Sequence, residues 1–148
     1  MFRTILQWTW ELPQTLLGLV VFLTVRLLDR GATTRRYRKS TVLTRTTVIN
    51  GGVSLGMFLF SFDYARGCGI SRPDAQRRMD NHEWGHSVQS RYLGPAYLIV
   101  IGVPSVTRAI RSRFRRRRCR SRKELYDDRW YYRGFPEAWA DRLGGVRR

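Results

Sequence analysis

Residues 82 to 86 read His-Glu-Trp-Gly-His, and the fold turns on whether these five lie on a helix. The neighbouring residues say that they do. Upstream, Ser71-Arg72-Pro73-Asp74 supplies a hydroxyl able to cap, a proline suited to a first turn, and an acid where the helix dipole favours one. Downstream, Gly94-Pro95 is a stop signal, so the helix is expected to end at Leu93. On such a helix His82 and His86 project from one face, about one turn apart. Two imidazoles so placed can reach one tetrahedral ion at roughly 2.0–2.1 Å each, and Zn2+ is the expected ion. Glu83 follows the first ligand directly, where its carboxylate can serve as the general base for an attacking water. Gly85 leaves space for a substrate backbone or a packed neighbour. The chain has only two histidines, and both fall in this motif.

A catalytic zinc site needs a third protein ligand. No third histidine exists, and the position six residues beyond His86 is Tyr92, which excludes the HExxHxxGxxH pattern. Cys119 or a downstream acid remains: Glu124, Asp127, Asp128, Glu137 or Asp141. Cys119 sits in an arginine run expected to be mobile. Glu137 is preferred, because Glu137 and Asp141 are four apart on a short helix opened by Phe135-Pro136 and closed by Gly144-Gly145. One can bind the metal while the other accepts the outer N–H of a ligand histidine.

His-Glu-Trp-Gly-His at 82–86 and Glu-Ala-Trp-Ala-Asp at 137–141 together resemble the gluzincin metallopeptidases. The nearest group is the membrane-associated one containing the CaaX prenyl proteases and the heat-shock membrane zinc proteases, whose pattern is HExxH followed by ExxAD. The resemblance implies zinc bound by His82, His86 and Glu137, Glu83 as the base, and Asp141 supporting a ligand. It covers about a quarter of the chain, which is much shorter than those enzymes. Tyr131 and Tyr132, just ahead of Glu137, are candidate donors to a developing oxyanion. A gluzincin commonly holds its peptide substrate as an added strand along a sheet edge.

The rest of the chain frames this site. Leu12 to Leu28 reads LPQTLLGLVVFLTVRLL, flanked by Trp8 and Trp10 on one side and by arginines on the other. Residues 1–34 are therefore expected to form a hydrophobic N-terminal helix, a membrane anchor with its basic segments on the cytoplasmic side. Residues 35–148 would form the metallopeptidase domain. Thr41 to Phe62 reads as a β-hairpin turning at Asn50-Gly51-Gly52. Ala96 to Val106 is expected to be a buried strand or a segment dipping into a membrane interface. Residues 108–123 should form a basic loop. Cys68 and Cys119 form no CxxC pair and read as free thiols.

Composition sets the partners. Twenty-eight Lys and Arg oppose 11 Asp and Glu, a net charge of +17 in 148 residues. Such an excess attracts nucleic acid or an anionic membrane surface. The basic run carries one aromatic, Phe114, and lacks the stacking platforms of single-strand binders, so the membrane is favoured. The expected fold is α+β: a zincin-like core of motif helix, small sheet and third-ligand helix. The expected activity is hydrolysis of a peptide or protein substrate. A non-catalytic zinc-binding relative and a basic surface-binding module are the competing readings.

Overall fold

The computed structural model describes residues 2–38, 41–69, 71–118 and 129–147. Cys119, the last part of the basic run, and Glu124, Asp127 and Asp128 lie outside the described residues.

The N-terminus departs from the single helix expected over residues 1–34. Two helices, α1 (Phe2–Thr9) and α2 (Leu12–Leu28), break at Trp10-Glu11, ahead of Pro13, and strand β1 (Thr33–Tyr37) begins inside the expected helix. At 17 residues α2 is about 26 Å long, short of a hydrocarbon core of about 30 Å. Among the described residues no helix is long and apolar enough to cross a membrane. One face of α2, with Gln14, Gly18 and Val25, is buried on the domain. A Cβ at Gly18 would come within 2.6 Å of the Leu55 carbonyl oxygen, so glycine sets this close approach.

Strands β2 (Thr41–Thr46), β3 (Gly52–Leu55) and β4 (Phe58–Phe62) complete a mixed four-stranded sheet of order β1-β2-β4-β3. The expected hairpin is corrected here. β2 and β4 are parallel, with Leu43 opposite Leu59. The tight antiparallel hairpin is instead β3–β4, turning at Gly56-Met57, and β1 pairs antiparallel with β2. Phe58–Phe62 is almost wholly buried because it is a central strand covered on both faces, so it lacks the alternation of a half-exposed hairpin arm. β3 lies at the sheet edge. The Phe62 N–H donates to the Gly51 carbonyl, so Gly51, Val53 and Leu55 turn their backbone groups toward β4. Gly52 and Ser54 turn theirs outward, and the Ser54 carbonyl accepts from the Tyr97 hydroxyl at 3.1 Å.

After the short α3 (Tyr64–Cys68) comes the motif helix, α4 (Pro73–Leu93), which opens with Pro73 and Asp74 and stops at Gly94, φ +52°. Its seat on the sheet is polar. Buried Asp80 accepts from Arg35 at 3.2 Å, Arg45 at 2.6 Å, Ser61 at 2.8 Å and Gln76 at 3.1 Å, joining three strands to the helix. Val25, Ala32, Leu55, Phe58 and Phe60 form the apolar core between α2 and the sheet.

Residues 94–118 correct two expectations. A 3-10 turn (Gly94–Ala96) and a π-type turn (Leu98–Gly102) lead into helix α5 (Val103–Arg118). The apolar run is thus helical, not a strand, and the basic segment is helix through Arg118, not loop. Pro104 fits a first turn, and arginine is a good helix former with no breaker following it. Helices α6 (Arg129–Arg133) and α7 (Glu137–Gly144) close the described chain.

Candidate metal centre

α4 and α7 cross closely because each has a glycine at the contact. A Cβ at Gly85 would overlap the Ala140 carbonyl, and one at Gly144 would overlap the Asn81 carbonyl. The space left at Gly85 is therefore taken by a packed neighbour. With the backbones this close, the carboxylate of Glu137, 0% exposed, sits between the two histidines. Its Oε2 lies 3.0 Å from His82 Nε2 and 3.1 Å from His86 Nε2. The three ligand atoms all lie within 4.8 Å of one another, and the rings meet edge to face with centroids 4.8 Å apart.

The outer nitrogens decide what this cluster wants. His82 Nδ1 lies 2.7 Å from Asp141 Oδ1, and an ionised carboxylate can only accept. His86 Nδ1 lies 2.7 Å from Gln89 Oε1. The amide of Gln89 is oriented by donation from its Nε2 to the Pro136 carbonyl at 3.0 Å, so its oxygen faces the ring. Both Nδ1 atoms must therefore carry protons. A neutral imidazole has one proton, so both Nε2 atoms present lone pairs, and both face the same carboxylate oxygen. Three electron-rich atoms converging on a buried point require a cation among them, either protons or a metal. Two ligands about 2.05 Å from a tetrahedral ion stand about 3.3 Å apart, close to the two N···O separations found. The donor set, two imidazoles and a carboxylate, suits zinc.

Titration reflects the same demand. Burial depresses His82, but hydrogen bonds with Asp141 and Glu137 outweigh it and raise its pKa to about 9. Burial raises Glu137, yet the two histidines overcome this and hold its carboxyl well below the usual range. Glu83 is different. Burial raises its pKa, and the neighbouring histidines only partly oppose this. It is 4% exposed, and its carboxylate lies against Gly52 of β3, where any Cβ would overlap it.

The tyrosines are also placed. The Tyr132 ring stands edge-on to His82 with centroids 5.2 Å apart. Burial, with the Glu137 carboxylate nearby, pushes the Tyr131 hydroxyl pKa far up. The Ser105 hydroxyl donates to Glu137 Oε1 at 2.6 Å, so α5 roofs the cluster. Three contributors have no clear sequence signal or only a faint one. Gln89 lies one turn after His86 on the ligand face, which spacing could have flagged. Ser105 and Tyr97 come from the misread apolar run, and Tyr97 feels both Glu83 and Glu137.

Comparison of the chain with protein-family models, with curated proteins and with solved structures finds no match.

Proposed function

We propose that this chain is a zinc-dependent metallopeptidase of a minimal gluzincin type, acting beside a membrane. The supporting observation is the convergence of His82 Nε2, His86 Nε2 and Glu137 Oε2, with both outer Nδ1 protons already engaged by Asp141 and Gln89. These three residues would hold the ion, which when bound supplies Lewis-acid polarisation of a carbonyl and activation of water. Glu83 accepts a proton from the attacking water and returns it to the leaving amine, a task suited to a carboxylate whose pKa burial has raised. Asp141 and Gln89 fix the tautomers and ring orientations of the ligands. Tyr131 and Tyr132 are the candidate donors to the oxyanion. The outward backbone groups of Gly52, on the part of β3 that the Tyr97 hydroxyl does not cover, offer an edge on which an extended peptide adds.

The membrane placement rests on the net charge of +17 and on the arginines flanking α2 and filling α5. We assign these basic segments to the cytoplasmic side.

The burial of Glu83 favours one other reading, a structural metal that pins α7 to α4 without catalysis. Metal analysis and peptide cleavage by wild type, Glu83→Gln and Glu137→Ala separate the two. The enzyme reading expects zinc in wild type and Glu83→Gln, cleavage only in wild type, and weak zinc binding in Glu137→Ala. Zinc-loaded wild type that cleaves no peptide would leave the structural reading standing. Unchanged zinc affinity in Glu137→Ala would refute the ligand set itself.

A further inference from the structure

Two helices carry apolar stripes on which, among the described residues, nothing packs. On α2 the exposed residues Leu16, Val20, Leu23 and Leu27 recur at helical spacing, and Leu27 is 81% exposed. They lie opposite the buried Gln14, Gly18 and Val25. A second stripe runs from the π-type turn along α5: Ile99, Val103, Val106, Ile110 and Phe114, from 74% exposed at Ile99 to 62% at Phe114. The buried Ile101 and Ser112, with Ser105, lie on its opposite face. The chain leading into the second stripe is fastened to α2: Gln14 Nε2 donates to the Gly94 carbonyl at 2.9 Å, and Leu98 packs on the same core cluster as Leu19 and Phe22.

We infer that the two stripes together form an in-plane docking face for an anionic lipid leaflet, with α2 and α5 lying on the bilayer and not crossing it. This inference rests on the membrane placement proposed above and adds the surface and the mode of binding. Charge selects the occupant. Neither α2 nor α5 contains an Asp or Glu, while exposed Arg111 and Arg113 flank the α5 stripe and the sequence continues as four arginines, 115–118. A second copy would bring an equally basic face, from a molecule of charge +17, against this one. Anionic headgroups instead neutralise the arginines, whose stems can lie along the apolar stripe. Each basic residue at such a surface strengthens binding about fivefold, and an apolar helix face sinks about 5–10 Å. The exposed Trp8, on α1 just ahead of α2, is expected at the same depth, whereas Trp10 is held on α4, its Nε1 donating to the Arg91 carbonyl at 3.1 Å.

The geometry has a consequence for substrate. One face of α5 holds Ser105 against Glu137 and the other is the lipid face, so the metal centre stands about one helix diameter, some 10–12 Å, from the bilayer. A peptide segment lying at the membrane surface is the substrate class in reach.

The test uses the full chain with vesicles of phosphatidylcholine alone or mixed with phosphatidylglycerol, followed by co-sedimentation and by quenching of tryptophan with brominated lipids. Wild type should prefer the mixed vesicles and be quenched at shallow depth. The exposed-site variants Val20→Asp/Leu23→Asp and Val103→Asp/Val106→Asp should each lose binding about tenfold or more, with circular dichroism unchanged. Serine replacements at the same positions serve if the aspartate variants fold poorly. Binding by both variants equal to wild type would overturn the docking face while leaving a purely electrostatic membrane placement intact. No wild-type binding to either vesicle would overturn both, without touching the metal chemistry. Wild type that sediments as a dimer, and variants as monomers, would show the stripes to be covered by a second copy and would also overturn the inference.

Discussion

The backbone carbonyl of Ala140 occupies the place where a side chain at position 85 would begin, so Gly85 decides how near α7 can come to α4. Through that contact, one missing methyl group governs whether Glu137 reaches two histidines on another helix. Gly85→Ala should cost about 1–3 kcal/mol of stability, as overpacking generally does, and should weaken zinc binding. Thermal unfolding with and without zinc measures both, and a variant with wild-type zinc stabilisation would contradict the role given to this crossing.

Glu83→Gln should retain zinc and lose peptide hydrolysis by about 10²–10⁴-fold. Gly52→Ala makes a related test, because the added methyl must displace the Glu83 carboxylate or strand β3. It should lower kcat with zinc content unchanged. A Gly52→Ala enzyme with normal kcat would mean that the base does not depend on its contact with the strand.

Gln89→Leu removes the acceptor from His86 Nδ1. Zinc affinity should fall about 10–100-fold, read by competition with a chelator. Gln89→Glu restores an acceptor and should recover much of the loss. Equal affinities in all three proteins would show that His86 needs no partner.

Asp29 accepts from the two terminal guanidinium nitrogens of Arg66, Nη2 at 2.7 Å and Nη1 at 3.2 Å, and from Thr46 and the Thr47 N–H. The hydrogen bonds from Arg66, then from Thr47, hold its carboxyl well below the ordinary aspartate value of 3.8. The folded state therefore resists protonation more than the unfolded chain. The stabilisation is present above about pH 4 and is lost as the pH falls below that value. Denaturant melts taken from pH 6 to pH 3 should show a decline that is smaller in Asp29→Asn. An identical decline in that variant would assign acid sensitivity to other carboxylates.

The meeting of Glu137 with the two histidines was more legible in the sequence than the scaffold. His82 and His86 stand out because their spacing puts two imidazoles on one face of a helix, and Pro73 and Gly94 bound that helix clearly. Glu137 and Asp141 were legible for the same reason, as a pair four residues apart. Strand pairing was not. Asn50-Gly51-Gly52 looks like a hairpin turn, yet Phe58–Phe62 pairs on both sides, with β2 in parallel and β3 antiparallel. Partner choice depends on which faces are covered, and local residues do not encode that. The run from Ala96 to Val106 misled through its β-branched residues, whose strand preference yields to context. Ser105 could not have been found, since a lone serine acquires meaning only when α5 lies over Glu137.

Because β3 is tied to the sheet along one side only, its outward amide at Gly52 would gauge occupancy of that edge. The Gly52 proton should trade for deuterium far sooner than those on Val53 and Leu55, which face β4. A peptide bound along that margin, as proposed above, should slow the fast proton and leave the slow pair alone. Exchange at this one position would then report binding without a label, even in a variant with no activity.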